Sequence, residues 1–198
     1  DPDDGVELWR QDFEGECGWP NILDGGEDSG VVVVSTRVPD RGIGTVALGL
    51  TSGKTRWVTE WDTLGLLPEE DGTAWIASGY ALREVSLSDG GCLQLDLLPY
   101  DRAAIARLDG SKVIVSYNSY GPGVEARLWP LHGHDSARRV ELEPFGEPRG
   151  FSNRRYQSVG LGVLEGRLLV HRFVGSWDFL DVLDPSGTEP PIHHTFVR

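Results

Sequence analysis

The chain of 198 residues contains no Met, only two Cys, and only two Lys (Lys54 and Lys112) among its 18 basic residues. The missing Met leads us to expect a processed chain or an excised domain, and the dominance of Arg over Lys suggests a GC-rich bacterial genome. Cys17 and Cys92 stand too far apart in sequence for a CxxC metal or redox motif. They leave two readings open, one disulfide in an exported chain or two small buried hydrophobes. Positive charge is scarce. Against 18 basic residues stand 31 acidic ones, giving a formal net charge of −13. That balance argues against nucleic acid, whose phosphates need clustered Lys and Arg, and disfavours adsorption to anionic membranes. No run approaches the ~20 apolar residues of a membrane-spanning helix, and none resembles a signal peptide.

Helical periodicity is scarce as well. What recurs is a β-branched run, a turn with Gly, another run and another turn, the pattern of an all-β domain. Four tight turns with flanking strands carry the signal. Thr45 to Leu50 leads through Thr51-Ser52-Gly53-Lys54 into Thr55 to Val58, and Ala81 to Leu87 leads through Ser88-Asp89-Gly90-Gly91 into Cys92 to Asp96. Val124 to Leu131 leads through His132 to Ser136 into Arg139 to Leu142, and Trp177 to Leu183 leads through Asp184 to Thr188 into Ile192 to Phe196. Each turn has small or polar residues that tolerate positive φ, as hairpins require.

Before each hairpin lies a more apolar run (Val31 to Ser35, Ala74 to Ser78, Lys112 to Tyr117, Arg167 to Arg172), and before that a weaker strand (Asn21 to Asp24, Leu64 to Leu67, Ala103 to Leu108, Ser158 to Leu164). Four strands therefore recur four times, with turns spaced by roughly 37 to 51 residues, around the ~40–50 of a propeller blade. Val31-Val32-Val33-Val34 lacks alternation, as a strand buried on both faces would. The expected architecture is one β-propeller domain over residues 1–198, with four four-stranded antiparallel blades at roughly 18–61, 62–98, 99–145 and 146–198. Residues 7–13 read as an extra outer strand, which favours an arc of a larger propeller over a closed small ring.

The segment Val46-Ala47-Leu48-Gly49-Leu50-Thr51-Ser52-Gly53-Lys54-Thr55-Arg56-Trp57 resembles the blade repeat of PQQ-like (quinoprotein-like) β-propellers, Tyr-Ala-Leu-Asp-x-x-Thr-Gly-Lys-x-x-Trp. Gly49 replaces the family's Asp and one turn position differs, while the turn Gly53 and the closing Trp57 match. The resemblance implies that Trp57 docks its ring on the adjacent blade, and Trp9 in Leu8-Trp9-Arg10 looks like the same feature from a preceding outer strand. In the second repeat Leu95 stands where the Trp would be. The third and fourth repeats share strand order only. Family members occur as exported scaffolds, lipoproteins and sensor domains of membrane kinases, which implies an extracytoplasmic location, either exported or on a membrane-anchored parent.

Quinone-dependent dehydrogenases of this fold hold Ca²⁺ beside the cofactor, and many carry two adjacent cysteines. Cys17 and Cys92 are not adjacent and no Glu/Asn/Asp set stands out, so no PQQ, Ca²⁺ or other cofactor is expected. His132, His134 and Asp135 are metal-ligand types, but they sit on a hairpin tip where converging ligands are hard to assemble. His193 and His194 are strand neighbours that point to opposite faces. The acidic turns 24–28 and 68–72 lack oxygen ligands at EF-hand spacing. No GxSxG elbow or supported Cys–His pair is present, and 31 acids make paired glycosidase carboxylates uninformative.

In a propeller, the loops joining second to third strands and those joining blades line one mouth. Here they hold Arg37, Arg41, Tyr80, Tyr100, Arg102, Asn118, Tyr120, Arg149, Arg154, Arg155 and Trp177. Arg and aromatic side chains are enriched at interface hot spots and stand out in so acidic a chain. The function expected from these observations is a non-catalytic binding or scaffold domain that presents this face to a protein or polysaccharide partner. The alternative is a propeller enzyme, a quinone-dependent dehydrogenase or a carbohydrate-active hydrolase.

Overall fold

The computed structural model describes residues 7–13, 17–18, 20–23, 30–38, 42–108, 111–118, 124–130, 138–141, 157–174, 177–184, 189–190 and 192–197. The chain is all-β, with no helix among these residues. Sheet 1 is built from β1 (Asn21–Leu23), β2 (Val31–Val38), β3 (Gly42–Gly49) and β4 (Thr55–Thr59). Sheet 2 follows with β5 (Gly65–Pro68), β6 (Thr73–Ser78), β7 (Ala81–Ser86) and β8 (Cys92–Leu97). β9 (Arg102–Leu108), β10 (Ser111–Tyr117), β11 (Val124–Pro130) and β12 (Arg138–Glu141) make sheet 3, and β13 (Gln157–Leu164), β14 (Arg167–Val174), β15 (Trp177–Leu183) and β16 (Ile192–Val197) make sheet 4. In every sheet the spatial order is the chain order, so each is an antiparallel meander. Short connections and β-branched runs dictate this: a connection of two to eight residues returns the chain only to the adjacent position.

The chain divides into two compact units, residues 1–78 with 82–96, and residues 79–81 with 97–198. In the first, Val31, Val33, Ala47 and Trp57 of sheet 1 pack with Ala74, Ile76 and Val85 of sheet 2. The unbroken valine run explains itself. Val31 and Val33 enter that cluster, while Val32 and Val34 join Val46 and Leu48 in a second one, under Trp9 and Phe13. Each buried Val or Leu contributes about 1.5–3 kcal/mol, so both faces of β2 stabilise the sheet. In the second unit, Val113, Val115, Ala126 and Leu128 of sheet 3 meet Leu168, Val170 and Leu183 of sheet 4.

Hydroxyls fasten the link between sheets 1 and 2. Thr45 Oγ1 donates to the Trp61 carbonyl at 2.7 Å, Ser35 Oγ donates to the Thr63 carbonyl at 3.1 Å, and the Thr63 amide donates back to Ser35 Oγ at 2.6 Å. The expected outer strand at 7–13 joins no ladder among the described residues; it is held by Trp9 and Phe13 instead. Cys17 and Cys92 are free and exposed. That corrects both readings of the pair, crosslink and buried hydrophobes alike, because Cys17 lies beside the Thr36 hydroxyl (Sγ to Oγ1, 3.4 Å) and Cys92 opens the outermost strand of sheet 2.

Candidate functional site

A meander places the connection between its second and third strands at the same end as the entry to its first. Among the described residues, Arg37, Tyr80, Tyr100, Arg102 and Asn118 lie at that end of their own sheets. Tyr80 occupies the turn between β6 and β7 and is 60% exposed. Its carbonyl accepts a hydrogen bond from the Leu98 amide at 2.8 Å, which clips the turn to the segment entering sheet 3. Two residues on, Tyr100 is half-buried, and Arg102 starts β9 directly opposite Tyr117, with Asn118 next along the chain. Tyr80, Tyr100, Arg102 and Asn118 are thus brought to one edge of the second unit. Arg102 Nε is buried there with no hydrogen-bond partner among the described residues.

Arg37 belongs to the first unit and is exposed at the end of β2, opposite Ile43, which is also exposed. It helps line a cleft of about 340 Å³ between residues 11–13 and sheet 1, whose apolar wall is Phe13, Val38, Val46 and Val58. Trp177 opens β15 opposite Val174, and only its backbone is described. Arg41, Tyr120, Arg149, Arg154 and Arg155 lie outside the described residues, as do His132, His134 and Asp135.

Two indoles each rest on a turn glycine. The ring of Trp57 covers Gly90, and its Nε1–H donates to the Leu87 carbonyl at 3.1 Å. Trp9 covers Gly53 and donates to the Leu50 carbonyl at 2.7 Å. Both glycines have positive φ, +63° at Gly53 and +76° at Gly90, and a Cβ on either would come within 2.8 Å of the ring. Only glycine serves at such a position.

Sequence reasoning missed a polar network inside sheet 4. β14 and β15 pair Arg172 with Phe179 and Val170 with Asp181, and β16 sets His193 opposite Asp181, so these side chains share one face. Arg172 Nε lies 2.6 Å from Asp181 Oδ2 and its Nη2 donates to Oδ1 at 3.0 Å, with 3% and 1% of the two side chains exposed. The guanidinium also sits over the Phe179 ring at 5.6 Å, and His193 Nδ1 is 2.6 Å from Asp181 Oδ1. One charge-assisted hydrogen bond and one close charge contact thus offset the heavy penalty of burying the carboxylate. His194 points to the other face, beside Phe196, as strand alternation requires. On that face His171 Nε2 is 2.7 Å from Asp178 Oδ1. The readable signal was a charged residue in the middle of apolar strands, Leu-Val-His-Arg-Phe and Phe-Leu-Asp-Val-Leu.

Among the described residues no three His, Cys, Asp or Glu side chains are placed to hold a metal ion. No family model matches the chain, and no curated protein matches it either.

Proposed function

We propose that the chain is a binding and scaffold domain without catalytic activity, an arc of four PQQ-like propeller blades that presents the loop edge of its sheets to a protein or polysaccharide partner. Support for the arc comes from four successive four-stranded meanders and from the indole of one sheet resting on the turn glycine of the next. The observation that carries the binding part is the gathering of Tyr80, Tyr100, Arg102 and Asn118 at one edge, fixed by the Tyr80–Leu98 backbone bond. Aromatic rings and a guanidinium on a rigid edge supply contact area at low entropic cost, together with donors for carboxylate or hydroxyl acceptors. A scaffold of this kind works outside the cytoplasm, on an exported or membrane-anchored parent.

The test puts a photo-crosslinking amino acid at position 80 or, as a control, at the exposed Leu93 of β8. Both proteins are challenged with extract proteins and with immobilised polysaccharides. A crosslink to one species from position 80 alone supports the reading. So does retention on one polysaccharide that Tyr80→Ala with Arg102→Ala abolishes at unchanged melting temperature. Capture from position 93 alone, or retention indifferent to the double variant, overturns it.

A further inference from the structure

The face of sheet 1 that turns away from sheet 2 is covered at one end and open at the other. Val32, Val34, Thr36 and Val38 alternate onto this face of β2, and the register sets Val46 and then Val58 beside Val34. Trp9 and Phe13 pack on the cluster of Val32, Val34, Val46 and Leu48. Toward the far end of β2 the cover runs out. Thr36 and Val38 stand opposite Gly44 and Gly42, which put no side chain on the face, and Val58 is 37% exposed. What remains is the cleft of about 340 Å³ between residues 11–13 and the sheet, at the low end of the roughly 300–1,000 Å³ of small-ligand sites.

Most polar groups around the cleft are engaged within the chain. Arg10 Nε holds the Asp12 carboxylate at 3.2 Å, and the Gln11 amide donates to the Asp12 carbonyl at 3.4 Å. The Thr36 hydroxyl lies 3.4 Å from Cys17 Sγ, and Thr55 adds only an uncharged hydroxyl. Arg37 differs. It is exposed and makes no hydrogen bond or ion pair among the described residues, in a chain whose net charge of −13 leaves carboxylates in surplus. The lining thus joins an apolar wall to one uncompensated positive charge. Such a lining repels cations, accepts neutral apolar bodies, and favours a carboxylate, which gains charge-assisted hydrogen bonds from the guanidinium fork.

We propose that this cleft binds a small organic acid, its compact apolar body seated on Phe13, Val38, Val46 and Val58 and its carboxylate on Arg37. Removal of the body from water supplies affinity, and the guanidinium supplies the choice of an acid over its neutral analogue. The site belongs to the first unit and shares no residue with the edge of Tyr80 and Arg102, so the two binding proposals stand or fall separately.

The test titrates the 198-residue chain with phenylpropionate and follows amide chemical shifts. Phenylpropanol presents the same body without the charge, and acetate the same head without the body. The expected result is saturable binding of phenylpropionate with shifts confined to residues 11–13, 36–38, 46 and 55–58. The alcohol should bind at least tenfold more weakly, and acetate not at all. Arg37→Gln, at an exposed position, should bring acid and alcohol to the same affinity, and Val58→Asp should weaken both. An alcohol that matches the acid, acetate that matches it, or a preference for the acid that survives Arg37→Gln overturns the assignment of the ligand class. Failure to saturate in the millimolar range, shifts centred elsewhere, or binding indifferent to Val58→Asp overturns the site itself.

Discussion

The two units use the same meander and anchor it differently. In the first, an indole rests on a glycine and the contacts are apolar, with one N–H to carbonyl bond per indole. In the second, the middle strands of sheet 4 carry a buried carboxylate bound by an arginine and a histidine. The contrast teaches that one backbone architecture tolerates two kinds of anchor with opposite mutational behaviour. Loss of an apolar anchor costs what its burial contributed. Loss of one ionic partner leaves the other charged and unsatisfied, whereas loss of both is nearly neutral when the volume is refilled.

The largest effect belongs to the ionic anchor. Asp181→Ala should destabilise the second unit by about 4–5 kcal/mol, read from the midpoint of denaturant unfolding, and Arg172→Met with Asp181→Leu should recover most of that loss. A double variant as unstable as the single one would erase the distinction between the units. Next, Trp57→Ala should cost about 3–4 kcal/mol, because a buried ring and its hydrogen bond go together. Trp9→Ala, with its ring half-exposed, should cost about 1–2 kcal/mol on the same measurement. Equal losses at the two positions would mean that the segment 7–13 is buried as deeply as β4.

Gly53→Ala sharpens the comparison further. Its positive φ costs about 1 kcal/mol or more for a residue with a Cβ, and the added methyl must displace the Trp9 ring, so Trp9 fluorescence should shift toward that of exposed indole. The smallest effect is electrostatic. The Ser86 hydroxyl, and after it the Gly91 amide, hold the exposed Asp89 carboxyl below its ordinary value. A lowered carboxyl value contributes stability that is present above the ordinary carboxyl range and lost as pH falls through the folded-state value. Asp89→Asn should therefore lower stability slightly at neutral pH, leave it unchanged at acid pH, and so flatten the acid limb of the stability–pH curve.

Much of the fold could be read because its signals are local. Thr51-Ser52-Gly53-Lys54 and Ser88-Asp89-Gly90-Gly91 state their own turns, and β15 runs over Trp177–Leu183, the run that leads into the turn at 184–188. The valine run at 31–34 declared burial on two faces before any neighbour was known. Arg172 was opaque for the opposite reason. Its partner Asp181 lies nine positions away and His193, which bonds the same carboxylate, twenty-one, and only the register of three strands makes them one cluster. The candidate edge was intermediate. Topology placed Tyr80, Tyr100, Arg102 and Asn118 at strand ends, but the bond from Leu98 to the Tyr80 carbonyl, which gathers them, has no sequence signature.

Cys17 and Cys92 are both unbonded and open to solvent. A molecule with two reactive ends is a bifunctional monomer in the polymer chemist's sense. Under an oxidant each sulfur can join a different neighbour, so air exposure produces ladders of linear multimers that collapse to a single band on adding reductant. Cys92→Ser alone stops that ladder at dimers.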